Sequence, residues 1–412
     1  MLNFRDELDM LRARGLERKL CCISSACDRY IRIDNRKLLN LCSNNYLGLA
    51  NDSRIKNAAV KAIQKFGAGA GASRLVTGSN ILHKRLEEKL ADFKKQEACL
   101  VYSSGYSANL GIISALADRN SIVFSDRLNH ASIIDGIILS RAEMARYPHK
   151  DVAALEKLLS NQPALAKRSG PGKPVTSPPW QSEAGQGNQR RLIVSDSVFS
   201  MDGDIAPVPE LVDLARRYDC LLMLDEAHAT GVLGKNGRGA LEHFGLKCEE
   251  RIIQMGTLSK AIGALGGFVC GKKDLIEYLI NRSRSFIFST ALPAALCASA
   301  IEAIEIIEKD SSLLARLWEN TNFLREGLRS LGFDTLDSQT PIIPILTKEP
   351  KLTMEFSRRL FKEGIFVQGI RPPTVPEGSC RLRVTVMAAH TRKDLEFALL
   401  KFKKIGKKSG IK

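Results

Sequence analysis

The chain has 412 residues, 44% of them hydrophobic and 26% charged, with a net charge of +16. These values suit a soluble globular protein of two or three domains. No apolar run nears the ~20 residues of a membrane helix, and aromatics at 6% with basic residues dispersed along the chain speak against a nucleic-acid module. The charge leaves two readings open, a solubilising basic surface or an anionic partner. The ten cysteines form no paired C-x-x-C motifs at zinc spacing. The acidic start has no apolar h-region, so a cytoplasmic protein with reduced thiols is expected.

Residues 1 to about 20 read as a helix, with Leu8, Leu11 and Leu16 among charges. Tyr30–Ile33 and Leu38–Cys42 flank Asp34-Asn35, the pattern of a hairpin. Arg54–Phe66 is helical in spacing and ends in the glycine run Gly67–Arg74. That run follows a helix and lacks G-x-G-x-x-G, so it is not a dinucleotide loop. Leu82–Lys95 is the next helix, patterned on Leu82, Leu86, Leu90 and Phe93. Ala98–Tyr102 reads as a strand that turns through Ser103-Ser-Gly105 into a helix reaching Leu116. Such a turn is either an anion site built on unpaired first-turn amides or a plain cap by Ser103 or Ser104.

Ser121–Phe124 is a strand, and Asp151 caps a helix ending near Leu159. Residues 163–189 are rich in Pro, Gly, Ser, Lys and Gln. Such a segment buries too little apolar area to order itself, which predicts a disordered surface insertion. Leu192–Val194 resumes the strands, and Pro207–Tyr218 is a helix. Two apolar runs follow, Leu221–Leu224 and Ile252–Met255, each turning polar, at Asp225 to His228 and at Thr257 to Lys260. Ligands of open α/β sheets gather at the carboxyl ends of strands, so Asp225, His228, Thr257 and Lys260 are expected to converge. Gly266–Cys270 is another strand, and a long helical region runs to about Leu331. Beyond Ile342, short strands flank one helix, Met354–Lys362. A final helix starts near Thr391, with Lys401–Lys412 expected to be solvated and frayed. Three parts are expected: an N-terminal segment 1–50, a large α/β part 51–295 and a smaller α+β part 296–412.

Ser104-Gly-Tyr106, His130, Asp225-x-x-His228 and Thr257-x-x-Lys260 occur in this order, each after a predicted strand. With Ser43–Gly48, Ser73–Gly78, Asn129–Ser132, Phe199–Asp204 and Asp225–Gly231, they resemble the fold-type I pyridoxal phosphate enzymes, more narrowly the α-oxoamine synthase family. The likeness spans the chain except the insertion and the tail. It implies an α/β fold, a mostly parallel central sheet flanked by helices, with a smaller C-terminal α+β domain. It also implies a pyridoxal 5'-phosphate acyltransferase, a homodimer with its site between subunits, and no metal.

The resemblance also implies roles. Lys260 would hold the cofactor as a Schiff base and then move protons. Asp225 would pair with the ring nitrogen, His130 stack on the ring, and His228 and Ser200 bond its phenolic oxygen. The Gly105 and Tyr106 amides with Thr257 would hold the phosphate, and Ser289 and Thr290 would reach the neighbour's phosphate. Arg383 would clamp the amino-acid carboxylate, with Asn44, Arg381 and Thr374 on the substrate side; Arg381 also has a purely structural reading. Asp196 stands where relatives often carry glutamate. The run Ile370–Pro376 resembles the biotin-pathway member of the family, which joins L-alanine to a pimeloyl thioester carried on coenzyme A or acyl carrier protein. Pro372-Pro373 would make a rigid, extended loop at the acyl entrance, or a turn that ends the strand. The rivals are a member using glycine and acetyl-CoA, and a non-catalytic basic binding protein on the same fold.

Overall fold

The computed structural model describes residues 3–161 and 190–409. The insertion expected at 163–189 lies outside the described residues. Helix α1 (Phe4–Ala13) is capped by Asn3 and buries none of its side chains. It is shorter than the expected helix, because the chain turns at Gly15, whose φ of +69° suits glycine. Strands β1 (Tyr30–Ile33) and β2 (Arg36–Asn40) form the expected hairpin, with Ile33 opposite Arg36. Its two turn residues, Asp34 and Asn35, both take positive φ, as a two-residue type I′ turn requires. Helices α2 (Ser53–Phe66) and α3 (Ile81–Lys94) follow.

The central alternation is β3 (Ala98–Tyr102), α4 (Gly105–Leu116), β4 (Ile122–Asp126), α5 (Ala131–Ser140), β5 (Glu143–Tyr147) and α6 (Val152–Asn161). It continues through β6 (Arg191–Asp196), α7 (Val208–Arg217), β7 (Leu221–Asp225), α8 (Ala240–His243), β8 (Ile252–Thr257) and β9 (Gly267–Gly271). These seven strands form one sheet in the order β3-β9-β8-β7-β6-β4-β5. The strands from β8 to β5 run parallel, while β9 is antiparallel to both its neighbours. Helices cover both faces, so the inner strands are apolar throughout rather than alternating. Val123, Val194 and Met223 enter one core with Ile112 and Ile133. Their sequence neighbours Phe124, Ile193 and Leu222 enter the opposite core with Leu211.

Helices α9 (Lys273–Arg282), α10 (Arg284–Ile287), α11 (Ala294–Lys309) and α12 (Ser311–Ser330) lead to the smaller layer. It holds β10 (Ile342–Lys348), α13 (Pro350–Lys362), β11 (Ile365–Phe366), β12 (Gln368–Ile370), β13 (Cys380–Thr385) and α14 (Arg392–Ser409). β10, β13 and β12 pair antiparallel, whereas β11 pairs parallel with β2 of the hairpin. Leu39 and Leu41 therefore share a core with Phe356, Leu382 and Phe402. The hairpin and Leu41 are thus packed into the C-terminal layer, whereas Tyr46, Leu47 and Leu49 enter the core of the large sheet. Helix α11, in turn, puts Cys297, Ala300 and Ile304 into the core of the large sheet, with Leu86 and Leu90 of α3. The change of layer falls inside α12, whose Leu317 belongs to the large core and whose Leu324 belongs to the small one.

The basic tail is a correction. Residues 401–409 continue α14, and Phe402 and Ile405 are buried. Lys401 and Lys404 both pair with Glu363, at 2.7 and 2.6 Å. Apolar residues three apart on one helix face outweigh the lysines between them. Among the described residues no helix is long and apolar enough to cross a membrane.

Removing the Phe402 ring leaves a cavity between α14 and the small sheet, so Phe402→Ala should cost about 3–5 kcal/mol. The exposed Lys403→Ala should stay within about 0.5 kcal/mol of wild type. Urea denaturation monitored by circular dichroism reads both; equal midpoints for the two variants would contradict the packing of this helix.

Candidate active site

Three parallel strands deliver the central residues together. Asp196 ends β6 and lies in register with Asp225 at the end of β7, and Asp225 is in register with Met255, two residues before Thr257 ends β8. The Asp225 carboxylate is buried. It accepts 2.7 Å from Asn109 Nδ2 of α4 and 2.9 Å from the Ala227 backbone N–H. Asn109 Nδ2 also donates to Ser132 Oγ at 2.8 Å, and Ser132 Oγ lies 2.7 Å from His130 Nδ1. The His130 backbone N–H donates to Asp196 Oδ2 at 3.1 Å. Burial, and then the nearby Asp225 charge, push the Asp196 carboxyl well above the usual carboxylate range. The protein packed around the His130 ring lowers its proton affinity, although the residue as a whole is exposed.

Lys260 follows β8 on a turn fixed by Thr257, whose Oγ1 donates to Gly266 O at 2.8 Å. Surrounding protein lowers the Lys260 amine to about 8, against the opposing pull of Asp225 and Asp196. The neutral amine, which a nucleophilic lysine requires, is then populated far more at neutral pH than in an ordinary lysine, and becomes the major form above about pH 8. His228 is buried, with Nδ1 2.6 Å from the Tyr46 hydroxyl. Burial raises Tyr46 to about 12 and holds His228 well below its usual range, so the phenol donates to a neutral imidazole.

Ser104 is the residue that caps α4, its Oγ accepting from Ser107 N–H at 3.1 Å. Among the described residues the first-turn N–H groups of Gly105 and Tyr106 find no acceptor in the fold. They form an anion-binding helix end. A side chain at Gly105 would meet Met255 Cε and Thr257 Oγ1 at 3.3 Å, and one at Gly267 would lie 2.4 Å from Ser104 O. The two glycines therefore let β8 and β9 pass close beneath this helix end. The Tyr106 ring is exposed and its hydroxyl bonds Asp135, so only its amide serves the cradle.

On the opposite wall Arg383 is buried on β13. It donates to Ser200 O at 2.5 Å, Asn44 Oδ1 at 3.0 Å and Thr385 Oγ1 at 3.1 Å. Asn44 is thus brought to Arg383, and Ser200 reaches it through its carbonyl. Arg381 pairs with Asp202 at 2.6 Å and donates to Met201 O and Ser379 O. Those contacts tie β13 to the 199–204 loop. Arg381, Ser200 and Thr374 also line one cavity of about 150 Å³. Thr374 borders a second, larger groove of about 860 Å³ with Arg18, Lys19, Arg358 and Arg371. The loop at Pro372-Pro373 is a turn rather than an extended segment, closed by Thr374 N–H to Arg371 O at 3.1 Å. Ser289 and Thr290 are not hydrogen-bonded to any of these groups. Thr290 is exposed and bridges Ser73, while Ser289 faces a small cavity beside Ser103.

The residues present fit pyridoxal phosphate. An amine lowered to about 8, a buried carboxylate for a ring nitrogen and a helix end with free amides are the groups it needs. Sequence reading gave no role to Asn109, Ser132 or Tyr46, although Ser132 and Tyr46 lie in the matching blocks, because Asn109, Asp225 and His228 meet them only in the fold. Asp196, whose role was in doubt, carries the backbone of His130. The fully buried pair of Lys94 and Glu226 was also missed. Glu226 Oε1 accepts from Ala240 N–H at 2.9 Å, and Lys94 Nζ also reaches Thr230 Oγ1 at 3.3 Å and Arg238 O. A side chain at Gly239 would collide with Glu226 Oε2, so the glycine-rich loop closes directly over the pair.

The family profile described as aminotransferase class I and II matches residues 36–402. An 8-amino-7-oxononanoate synthase of Citrifermentans bemidjiense is 49% identical over 413 residues, covering 100% of both chains. A serine palmitoyltransferase from S. paucimobilis, solved with a bound PLP–myriocin aldimine, superposes with a TM-score of 0.89 at 30% identity, over 99% of this chain and 98% of that one. A crystal structure of 8-amino-7-oxononanoate synthase from Francisella tularensis gives a TM-score of 0.73 at 28% identity, over 91% and 99%.

Lys94→Met should leave Glu226 as an uncompensated buried charge next to Asp225, at a cost of about 3–5 kcal/mol. Lys94→Met with Glu226→Leu should recover part of that loss. Denaturation midpoints of the two proteins decide the matter, and a single variant as stable as wild type would sink this account of the loop.

Proposed function

The chain belongs to the class I and II aminotransferase family, among its 8-amino-7-oxononanoate synthases, and from that premise we propose the reaction and the part each residue plays in it. The protein condenses L-alanine with a pimeloyl thioester, releasing carbon dioxide and the free thiol carrier and forming 8-amino-7-oxononanoate for biotin synthesis. The observation that carries this reading is the 49% identity running the full length of both chains.

Pyridoxal 5'-phosphate, when bound, supplies an electron sink for the pair left at the amino-acid Cα. The chain's residues do the rest. Lys260 would hold the cofactor, and its amine is the group placed to take the Cα proton of alanine and to return one after decarboxylation. Its lowered proton affinity suits both directions of transfer near neutral pH. Asp225, fixed by Asn109 and the Ala227 amide, accepts the ring N–H and keeps it protonated. His130 would cover the ring face. His228, oriented by Tyr46, and Ser200 would donate to the phenolic oxygen. The Gly105 and Tyr106 amides and Thr257 hold the phosphate. Arg383 clamps the alanine carboxylate until it leaves as carbon dioxide, and Asn44 holds the guanidinium in place.

The cavity lined by Ser200, Arg381 and Thr374 receives the acyl chain. The neighbouring groove, with Arg18, Lys19 and Arg358, suits an anionic carrier, whether coenzyme A or acyl carrier protein. The protein works as a homodimer. Val76, Ile138 and Phe288 are large apolar side chains left exposed on one chain, a surface a second copy would cover, and Ser289 and Thr290 beside Phe288 would then reach the neighbour's phosphate. Ten free cysteines suit a reducing, cytoplasmic setting. A non-catalytic binder would have no use for a buried carboxylate beside a depressed lysine.

Purified protein should release free thiol with L-alanine and a pimeloyl thioester, and much more slowly with glycine and acetyl-CoA. Arg383→Ala should lower kcat/KM for alanine by about 30-fold or more, the loss of one partner of a buried charge pair. No turnover of alanine with the pimeloyl thioester on either carrier would overturn the proposed reaction.

A further inference from the structure

The hydrogen bonds behind His130 have a direction. An amide NH₂ only donates, so Asn109 Nδ2 gives one proton to Asp225 Oδ2 at 2.7 Å and the other to Ser132 Oγ at 2.8 Å. Ser132 Oγ has thereby spent one acceptor site. Its own proton has a single acceptor within reach among the described residues, His130 Nδ1 at 2.7 Å. The Ser132 backbone N–H also points at Nδ1, at 3.3 Å, so the nitrogen faces two donors. Were Nδ1 protonated, it would point its hydrogen at an N–H, and the Ser132 hydroxyl would lose its acceptor. Asn109 and Ser132 are 1% exposed, so water offers neither a substitute partner.

We infer that Asn109 and Ser132 are positioning residues that hold His130 as the neutral tautomer protonated on Nε2, the nitrogen away from α5. One amide thereby orients both the carboxylate for the ring nitrogen and the imidazole for the ring face. Helix α4, whose N-terminus forms the anion cradle, also sets the proton at the other end of the site. An Nε2–H is a donor, so His130 offers a hydrogen bond to a carboxylate or carbonyl oxygen of the reacting molecules. An imidazole free to choose its tautomer would make that offer only part of the time. The charged groups facing this ring are Asp225 at the end of β7, Lys260 after β8 and Asp135 on α5. Burial lowers the ring's proton affinity, in the same direction as two donors on Nδ1. The use of the Nε2–H rests on the proposed reaction; the tautomer itself does not.

Ring-¹⁵N histidine labelling of the holoenzyme without substrates tests this. The chain has six histidines, and the signals missing from His130→Asn assign the pair. A protonated Nε2 and an unprotonated Nδ1 at pH 8 are expected. Ser132→Ala should move the tautomer ratio about five- to tenfold toward Nδ1–H, the worth of one buried hydrogen bond. A proton on Nδ1 in wild type overturns the inference without any variant having to fold. An unchanged ratio in Ser132→Ala overturns the role of Ser132. Because the ratio is read without substrates, a failed alanine assay leaves it standing, and a normal assay does not rescue it.

Discussion

A carboxylate buried at the carboxyl end of a central strand is the constraint on which the site depends. Asp225 is 4% exposed, and a charge so placed persists only if hydrogen bonds replace its hydration. The chain supplies them from two directions, an amide side chain on α4 and the backbone two residues on. That requirement brings α4 against the strand end and places Asn109 between Asp225 and Ser132. It also sets the helix terminus of Gly105 and Tyr106 over β8 and β9. The anion cradle follows from the same packing of α4, whose Ile112 and Ile113 enter the apolar core beneath it.

The charges around it balance as a group rather than in pairs. Asp196 and Asp225 are register neighbours and repel, and Asp196 yields by favouring its protonated form. Lys260 feels both carboxylates, yet burial still depresses it. Arg383 stands on the small sheet, held by Asn44 from the N-terminal segment and Ser200 from the large part. The wall facing the central sheet therefore depends on the hairpin β1–β2 being knitted to β11 near the far end of the chain. Beneath the glycine-rich loop, the buried Lys94–Glu226 pair carries no reacting group. It fixes the peptide that follows Asp225, a use of buried charge for position rather than for stability.

Much of this was legible in the sequence where one local signal decided the outcome. Apolar runs ending abruptly in Asp225 and Thr257 announced buried parallel strands with a site at their ends, and Asp34-Asn35 announced a tight hairpin. Legibility failed where partners are distant or patterns are masked. β5 is a polar edge strand, so it lacks an apolar run. The pairing of β2 with β11 joins Leu39 to Ile365, and nothing local records it. Phe402 and Ile405 are a helical apolar pair hidden among lysines, which made an ordered helix read as a frayed tail. Asn109 and Ser132 are unremarkable helix residues until the fold puts them between Asp225 and His130.

The central claim is that one lysine, Lys260, on the turn after β8, carries the cofactor. Borohydride reduction of the yellow holoenzyme, followed by proteolysis and mass spectrometry, tests it most directly. The account predicts a stoichiometric pyridoxyl-phosphate adduct on the peptide containing Lys260 and loss of the yellow band. A reduced adduct on any other lysine, or none on a protein that turns over alanine, would contradict it.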